Sequence, residues 1–168
     1  MLTRLNTFLR PKLVRRMVAQ KNDRLDFRKI LDGKTIFLAK LSQGAIGEEN
    51  SYLLGSLLVS RMAQAAMSRQ NIHGSEREPY ILYIDEFHHF VTPSIASILS
   101  GARKYGLGLV LAHQETRQLR SRNEDVASAV LANAATRVVF CVGEQDAKAL
   151  AEGFSFFEPK NLQSLGML

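Results

Sequence analysis

Nine consecutive residues, Pro79-Tyr80-Ile81-Leu82-Tyr83-Ile84-Asp85-Glu86-Phe87, constrain the fold of this chain more than any other stretch. A run of β-branched and aromatic apolar side chains predicts a strand buried on both faces. It stops abruptly at two adjacent carboxylates, the position at which a parallel α/β sheet opens its ligand crevice. Two buried negative charges need a counter-charge or a cation. Asp-Glu at a strand end therefore suits Mg²⁺, held directly or through water, beside a carboxylate that polarises an attacking water. The competing reading is an N-cap Asp followed by a first-turn Glu that opens a helix.

Around this strand the chain alternates between the two periodicities, without repeats or low-complexity tracts. Asp32-Gly33 signals a turn before a strand at 35–41. A loop at 42–47 leads into a long helix at 48–69 that opens with Glu48 and Glu49, as the helix dipole prefers. Leu53, Leu54, Leu57, Leu58, Met62 and Ala66 predict its buried side. Thr92-Pro93 starts the next helix, with Ile95, Ile98, Leu99 and Ala102 on one face and Gly106 as its close. A strand follows at 107–112, a helix at 123–133 capped by Asn123, a strand at 136–142, and a last helix from Gly143. Such alternation predicts a mainly parallel sheet with right-handed crossovers and helices on both faces.

The 168 residues suit one domain with a true core, and the hydrophobic share of 46% with 23% charged is that of a soluble globular protein. The single cysteine, Cys141, lies in the apolar run 138–142, reads as core filling and fits a reducing cytoplasm. No apolar run approaches the ~20 residues needed to span a bilayer. The net charge of +6 is concentrated: residues 1–24 carry seven Lys/Arg (Arg4, Arg10, Lys12, Arg15, Arg16, Lys21, Arg24) against Asp23, and the rest is balanced. Residues 1–24 thus form a basic helical arm, with 25–168 as the body. The arm suits phosphates, an anionic membrane surface or a targeting role. Leu5, Phe8, Leu9, Leu13, Val14 and Met17 recur at helical spacing and favour a helix packed on the body, broken or kinked by Pro11.

Several polar residues sit where chemistry is done. Arg103 falls at the border of an apolar helix face, positioned to reach sideways to a neighbouring subunit or to form a surface ion pair. Gln114 ends the strand beside the acidic one, where an amide can sense a phosphate or orient a water. Arg117, Arg120 and Arg122 follow in an expected loop and suit phosphate contacts along a nucleic-acid channel. His73, His88, His89 and His113 include an adjacent pair, but no Cys/His spacing typical of a zinc site.

The order of these segments resembles a known family. An apolar strand ending in Asp85-Glu86, the stretch Gly101-Ala102-Arg103-Lys104-Tyr105-Gly106-Leu107, and a strand ending Ala112-His113-Gln114 are similar to the Walker B and following motifs of FtsK/HerA-class P-loop ATPases. The nearest likeness is to TraD/TraG-type conjugative coupling proteins of type IV secretion. It extends from about Leu2 to Val142, through residues 38–44 and Gly47-Glu48-Glu49. The resemblance implies a RecA-like domain that binds ATP and Mg²⁺, with Asp85 holding the metal through water and Glu86 polarising the hydrolytic water. It implies that Gln114 contacts the γ-phosphate and that Arg103 is an arginine finger acting on the next subunit of a hexameric ring.

The Walker A strand, loop and helix of that family are not matched here. The only candidate, Gly33-Lys34-Thr35, has Arg28 where the first glycine of the motif belongs, and it enters a strand instead of opening a helix. The expectation is the C-terminal half of a RecA-like motor domain, inactive alone and completed by a split N-terminal ATPase half or by a longer chain. In that setting it would translocate DNA or protein–DNA with type IV secretion components, in the cytoplasm or peripheral to the inner membrane. The alternative is a non-catalytic adaptor or nucleic-acid-binding remnant.

Overall fold

The computed structural model describes residues 2–21, 25–92, 95, 98, 99 and 101–151. The chain divides into two compact units, one formed by Met1–Leu82 with Gly101–Gly108 and the other by Tyr83–Ser100 with Leu109–Leu168. The first contains α1 (Leu2–Leu9), α2 (Lys12–Val18), α3 (Phe27–Asp32), α4 (Gln43–Ile46) and α5 (Glu48–Met67). The strands β1 (Tyr80–Ile84) and β2 (Leu107–Leu111) both begin in the first unit and end in the second. The second unit adds α6 (Thr116–Arg122), α7 (Glu124–Asn133) and α8 (Glu144–Ala151).

Pro11 divides the basic arm as expected, ending α1 and standing as the N-cap of α2. The break costs the arm its single apolar stripe. Val14 is fully buried, but Leu5, Leu13 and Met17 remain exposed, because two short helices do not keep the register of one long one.

The helix α5 begins at Gly47, whose φ of 84° is a conformation that glycine adopts without a Cβ clash. Its buried stripe differs from the expected leucines: Ser51, Gly55, Val59, Met62, Ala63 and Ala66 face inward, while Leu53 and Leu57 are exposed. Small residues win this face because they let neighbouring chain approach closely. Ser51 Oγ donates to the carbonyl of Leu41 at 2.9 Å, which ties the 35–41 segment to the helix.

Tyr80 N–H donates to Gly106 O at 2.8 Å, and Ala112 N–H donates to Ile84 O at 3.0 Å, so the two strands run parallel. Among the described residues β1 and β2 form the whole sheet. The segments 35–41 and 136–142, expected as strands, are irregular. A strand exists only by pairing, and both segments pack on other groups instead. Phe37 sits edge-on to Phe27, with ring centroids 5.9 Å apart, while Ile36 and Leu38 are exposed. Val139 and Val142 pack on Ala147 and Leu150 of α8, leaving Val138, Phe140 and Cys141 exposed. Cys141 is therefore not core filling.

With one neighbour, β1 is covered on alternate residues and not on both faces: Ile84 is buried, and Ile81 and Tyr83 are open. In the expected helix after Thr92, Ile95, Ile98 and Leu99 are helical and Ile95 and Ile98 are buried; Pro93 lies outside the described residues. Residues Ala102–Tyr105 form a 3₁₀ turn closed by Gly106 at φ 77°.

The first unit is organised by a side chain that the sequence reading passed over. Arg69, on a 3₁₀ turn after α5, is fully buried. Its Nε donates to Asp32 Oδ1 at 2.8 Å, and its Nη1 donates to the carbonyls of Glu78 at 2.9 Å and Tyr105 at 3.2 Å. Arg77 adds Nε–H donation to the Arg69 and Ile72 carbonyls at 3.1 and 3.0 Å, and it also donates to Lys104 O. Two arginines thus bond loop and turn carbonyls within the first unit.

Candidate functional site

The acidic turn lies wholly in the second unit. The strand β1 delivers Asp85 and Glu86 to a sharp reversal, after which Phe87–Phe90 form a 3₁₀ turn. Glu86 takes up the reversal in the left-handed region, at φ 48° and ψ 43°. That conformation costs a non-glycine residue roughly 1–2 kcal/mol. It is held from both sides. Phe87 N–H donates to Ala112 O at 3.0 Å, and the buried Phe87 ring meets His113 edge-on at 5.5 Å.

Asp85 is exposed, and its Oδ1 accepts the N–H of Glu86 at 2.9 Å. Glu86 is half-buried. Gln114, just past β2, donates from Nε2 to Glu86 Oε1 at 2.5 Å. The other carboxylate oxygen, Oε2, lies 3.3 Å from His88 Nδ1. His88 is only 7% exposed, and this nitrogen has no aligned hydrogen bond. The rings of His88 and His89 are tilted together with centroids 3.9 Å apart. Burial depresses the His88 pKa, with His89, Arg122 and His113 pushing the same way and Glu86 opposing them. The result is a neutral imidazole beside a carboxylate.

The structure thus brings Asp85, Glu86 and Gln114 together at the ends of adjacent parallel strands. Arg103 belongs to the first unit and is exposed on the 3₁₀ turn, not at the edge of an α-helix. Arg117, Arg120 and Arg122 are exposed on α6 and not in a loop. That helix is fixed at its start by Asp146 of α8, which accepts the Thr116 N–H at 2.9 Å and the Thr116 hydroxyl. Gly33-Lys34-Thr35 ends α3, and Lys34 Nζ pairs with Glu78 at 3.0 Å, so its ammonium is already committed within its own unit. The sequence reading missed His88 and His89, noting them only as an adjacent pair without the spacing of a zinc site. A Glu-x-His-His string directly after an apolar strand was the signal.

Residues 79–155 match the family described as the TraM recognition site of TraD and TraG. The match supports a relation to TraD/TraG-type conjugation coupling proteins, and it takes in the whole acidic turn together with Gln114 and α6. No curated protein and no solved structure shows a significant match to the chain. Among the described residues no helix is long and apolar enough to cross a membrane.

Proposed function

We propose that this chain is part of a conjugative coupling ATPase of the FtsK/HerA class, built on a RecA-like domain. The carrying observation is the contact between Gln114 and Glu86, an amide and a carboxylate presented side by side by parallel strands. A carboxylate held through one oxygen can use the other, here beside His88, to polarise water, and an amide that touches it senses what binds there. Exposed Asp85 adds an oxygen donor suited to a hydrated Mg²⁺, which keeps most of its waters and reaches protein through one or two carboxylates. These residues fit Mg²⁺ brought in with a nucleotide. The phosphates of ATP need a backbone cradle, which the described residues do not supply, so this half contributes the metal, water and sensor groups. Arg103 serves as the arginine finger toward a neighbouring subunit of the ring. The arginines of α6 meet DNA phosphates, and residues 79–155 carry the docking surface for a TraM-type relaxosome protein. The protein works on the cytoplasmic side of the inner membrane, with the basic arm toward anionic lipid.

The test is phosphate release by the purified chain, alone and mixed with a P-loop-bearing half of a TraD/TraG-type protein. No turnover is expected from the chain alone. The mixture should hydrolyse ATP, and Glu86→Gln should slow it by about 10²-fold or more. Mixing Arg103→Ala subunits with Glu86→Gln subunits should restore part of the rate, because each defect then lies on a different side of an interface. A mixture that stays inactive although both halves fold and associate overturns the motor reading.

A further inference from the structure

We propose that Glu86, His88 and His89 form a binding site for a divalent transition-metal ion. One oxygen or nitrogen of each residue lies within 4.8 Å of the others, on three positions of a single tight turn. The decisive pair is Glu86 Oε2 and His88 Nδ1. Their separation of 3.3 Å is long for a hydrogen bond between such atoms, and the nitrogen has no aligned partner. Two ligands on a tetrahedral zinc, each bonded at about 2.0–2.1 Å, stand about 3.3 Å apart. The pair is already spaced as two ligands of one ion, and rotation of the half-buried His89 ring closes the third side.

The surroundings are built to hold this geometry. His88 is 92% buried, so its ring cannot swing into solvent. Gln114 pins Oε1 of Glu86 and turns Oε2 toward the histidines. An outer partner of that kind commonly orients a metal-binding carboxylate. Two imidazoles and one carboxylate suit Zn²⁺, Co²⁺ or Ni²⁺ better than Mg²⁺. Three protein ligands leave a fourth position for water. The inference stands on this geometry and does not depend on the ATPase reading. If both hold, an ion on Oε2 takes Glu86 away from the attacking water and acts as an inhibitor.

The experiment is calorimetric titration of the purified full chain with ZnCl₂, and optical titration with CoCl₂. One ion per chain is expected, with a cobalt spectrum of tetrahedral nitrogen and oxygen ligation that lacks a thiolate charge-transfer band. Glu86→Gln and His89→Ala should each weaken binding at least 10-fold, and Gln114→Leu by about 10-fold. Cys141→Ser and His73→Ala should leave it unchanged. Far-UV circular dichroism checks the fold of each variant, and if His88→Ala does not fold, Glu86→Gln and His89→Ala decide. Absence of zinc binding, its survival in the Glu86→Gln/His89→Ala double variant, or its loss in Cys141→Ser would overturn the proposal.

Discussion

Arg69 in the first unit and His88 in the second are both buried polar side chains on short 3₁₀ turns, and they differ in how their nitrogens are used. Arg69 donates from Nε and Nη1 to Asp32 and two loop carbonyls, and only its Nη2 is left without a partner. His88 keeps Nδ1 unbonded, aimed at a carboxylate oxygen that Gln114 has left available. Burial with three bonds made holds loops in place, and a buried nitrogen that faces a carboxylate without bonding it leaves room for a ligand. The first arrangement ties loops together, and the second leaves a buried nitrogen facing a carboxylate.

The comparison breaks most sharply on paired substitutions. Arg69→Leu should destabilise the chain by about 3–5 kcal/mol, since it strands the Glu78 and Tyr105 carbonyls and leaves Asp32 with Arg28 as its one ion-pair partner among the described residues. Part of that loss is moderated by water, because Asp32 is 35% exposed. His88→Leu should change stability by less than about 1 kcal/mol in either direction, because it removes a nitrogen whose burial is already uncompensated. Urea titrations of the two variants measure both. Equal losses would mean that His88 is as structural as Arg69.

A second comparison concerns Asp146, the acceptor that anchors Thr116 at the start of α6. Asp146→Ala should cost about 1–3 kcal/mol, having left a backbone N–H and a hydroxyl unpaired in a half-buried place. Proteolysis should then begin near α6 before it touches the Arg69 region. Simultaneous cleavage in both regions would refute the independence of these two anchors.

How far the sequence told this in advance depends on which partners are local. The helices α5, α7 and α8 were readable because caps and dipole-matched acids lie within a few residues of the elements they start. The strands β1 and β2 were readable as apolar runs, β1 ended by Asp85 and β2 opened by Gly106. Segments 35–41 and 136–142 carry the same composition, yet the outcome turned on a pairing edge that no local pattern encodes. The proximity of Glu86 and Gln114 followed from two adjacent parallel strands ending level. The Arg69 hub and the Asp146 anchor could not be read, since each joins residues about 30 or more positions apart through backbone atoms, which have no sequence signature.

The smallest effects concern two left-handed backbone positions, and here the two units again differ. Gly106, in the first unit, sits at φ 77°, and a Cβ there would come within 3.2 Å of Arg69 Nη1 and 3.3 Å of Glu78 O. Gly106→Ala should therefore cost about 1–2 kcal/mol. In the second unit the equivalent backbone demand, φ 48°, falls on Glu86. Glycine would relieve a strain of roughly 1–2 kcal/mol while paying about 0.5–1 kcal/mol in extra chain entropy. Glu86→Gly should thus raise stability by under about 1 kcal/mol, even though it deletes the contact with Gln114, which is exposed and contributes little. Retaining a strained glutamate where glycine is more stable is what a site selected for chemistry would do. Thermal unfolding of Glu86→Gly, Glu86→Gln and Glu86→Ala separates the two terms. Only the glycine variant should gain, the alanine variant keeping the strain and losing the side chain. If Glu86→Gly unfolds at a lower temperature than Glu86→Ala, the carboxylate stabilises the turn by more than its backbone strain costs. Glu86 would then belong with Arg69 among the structural anchors.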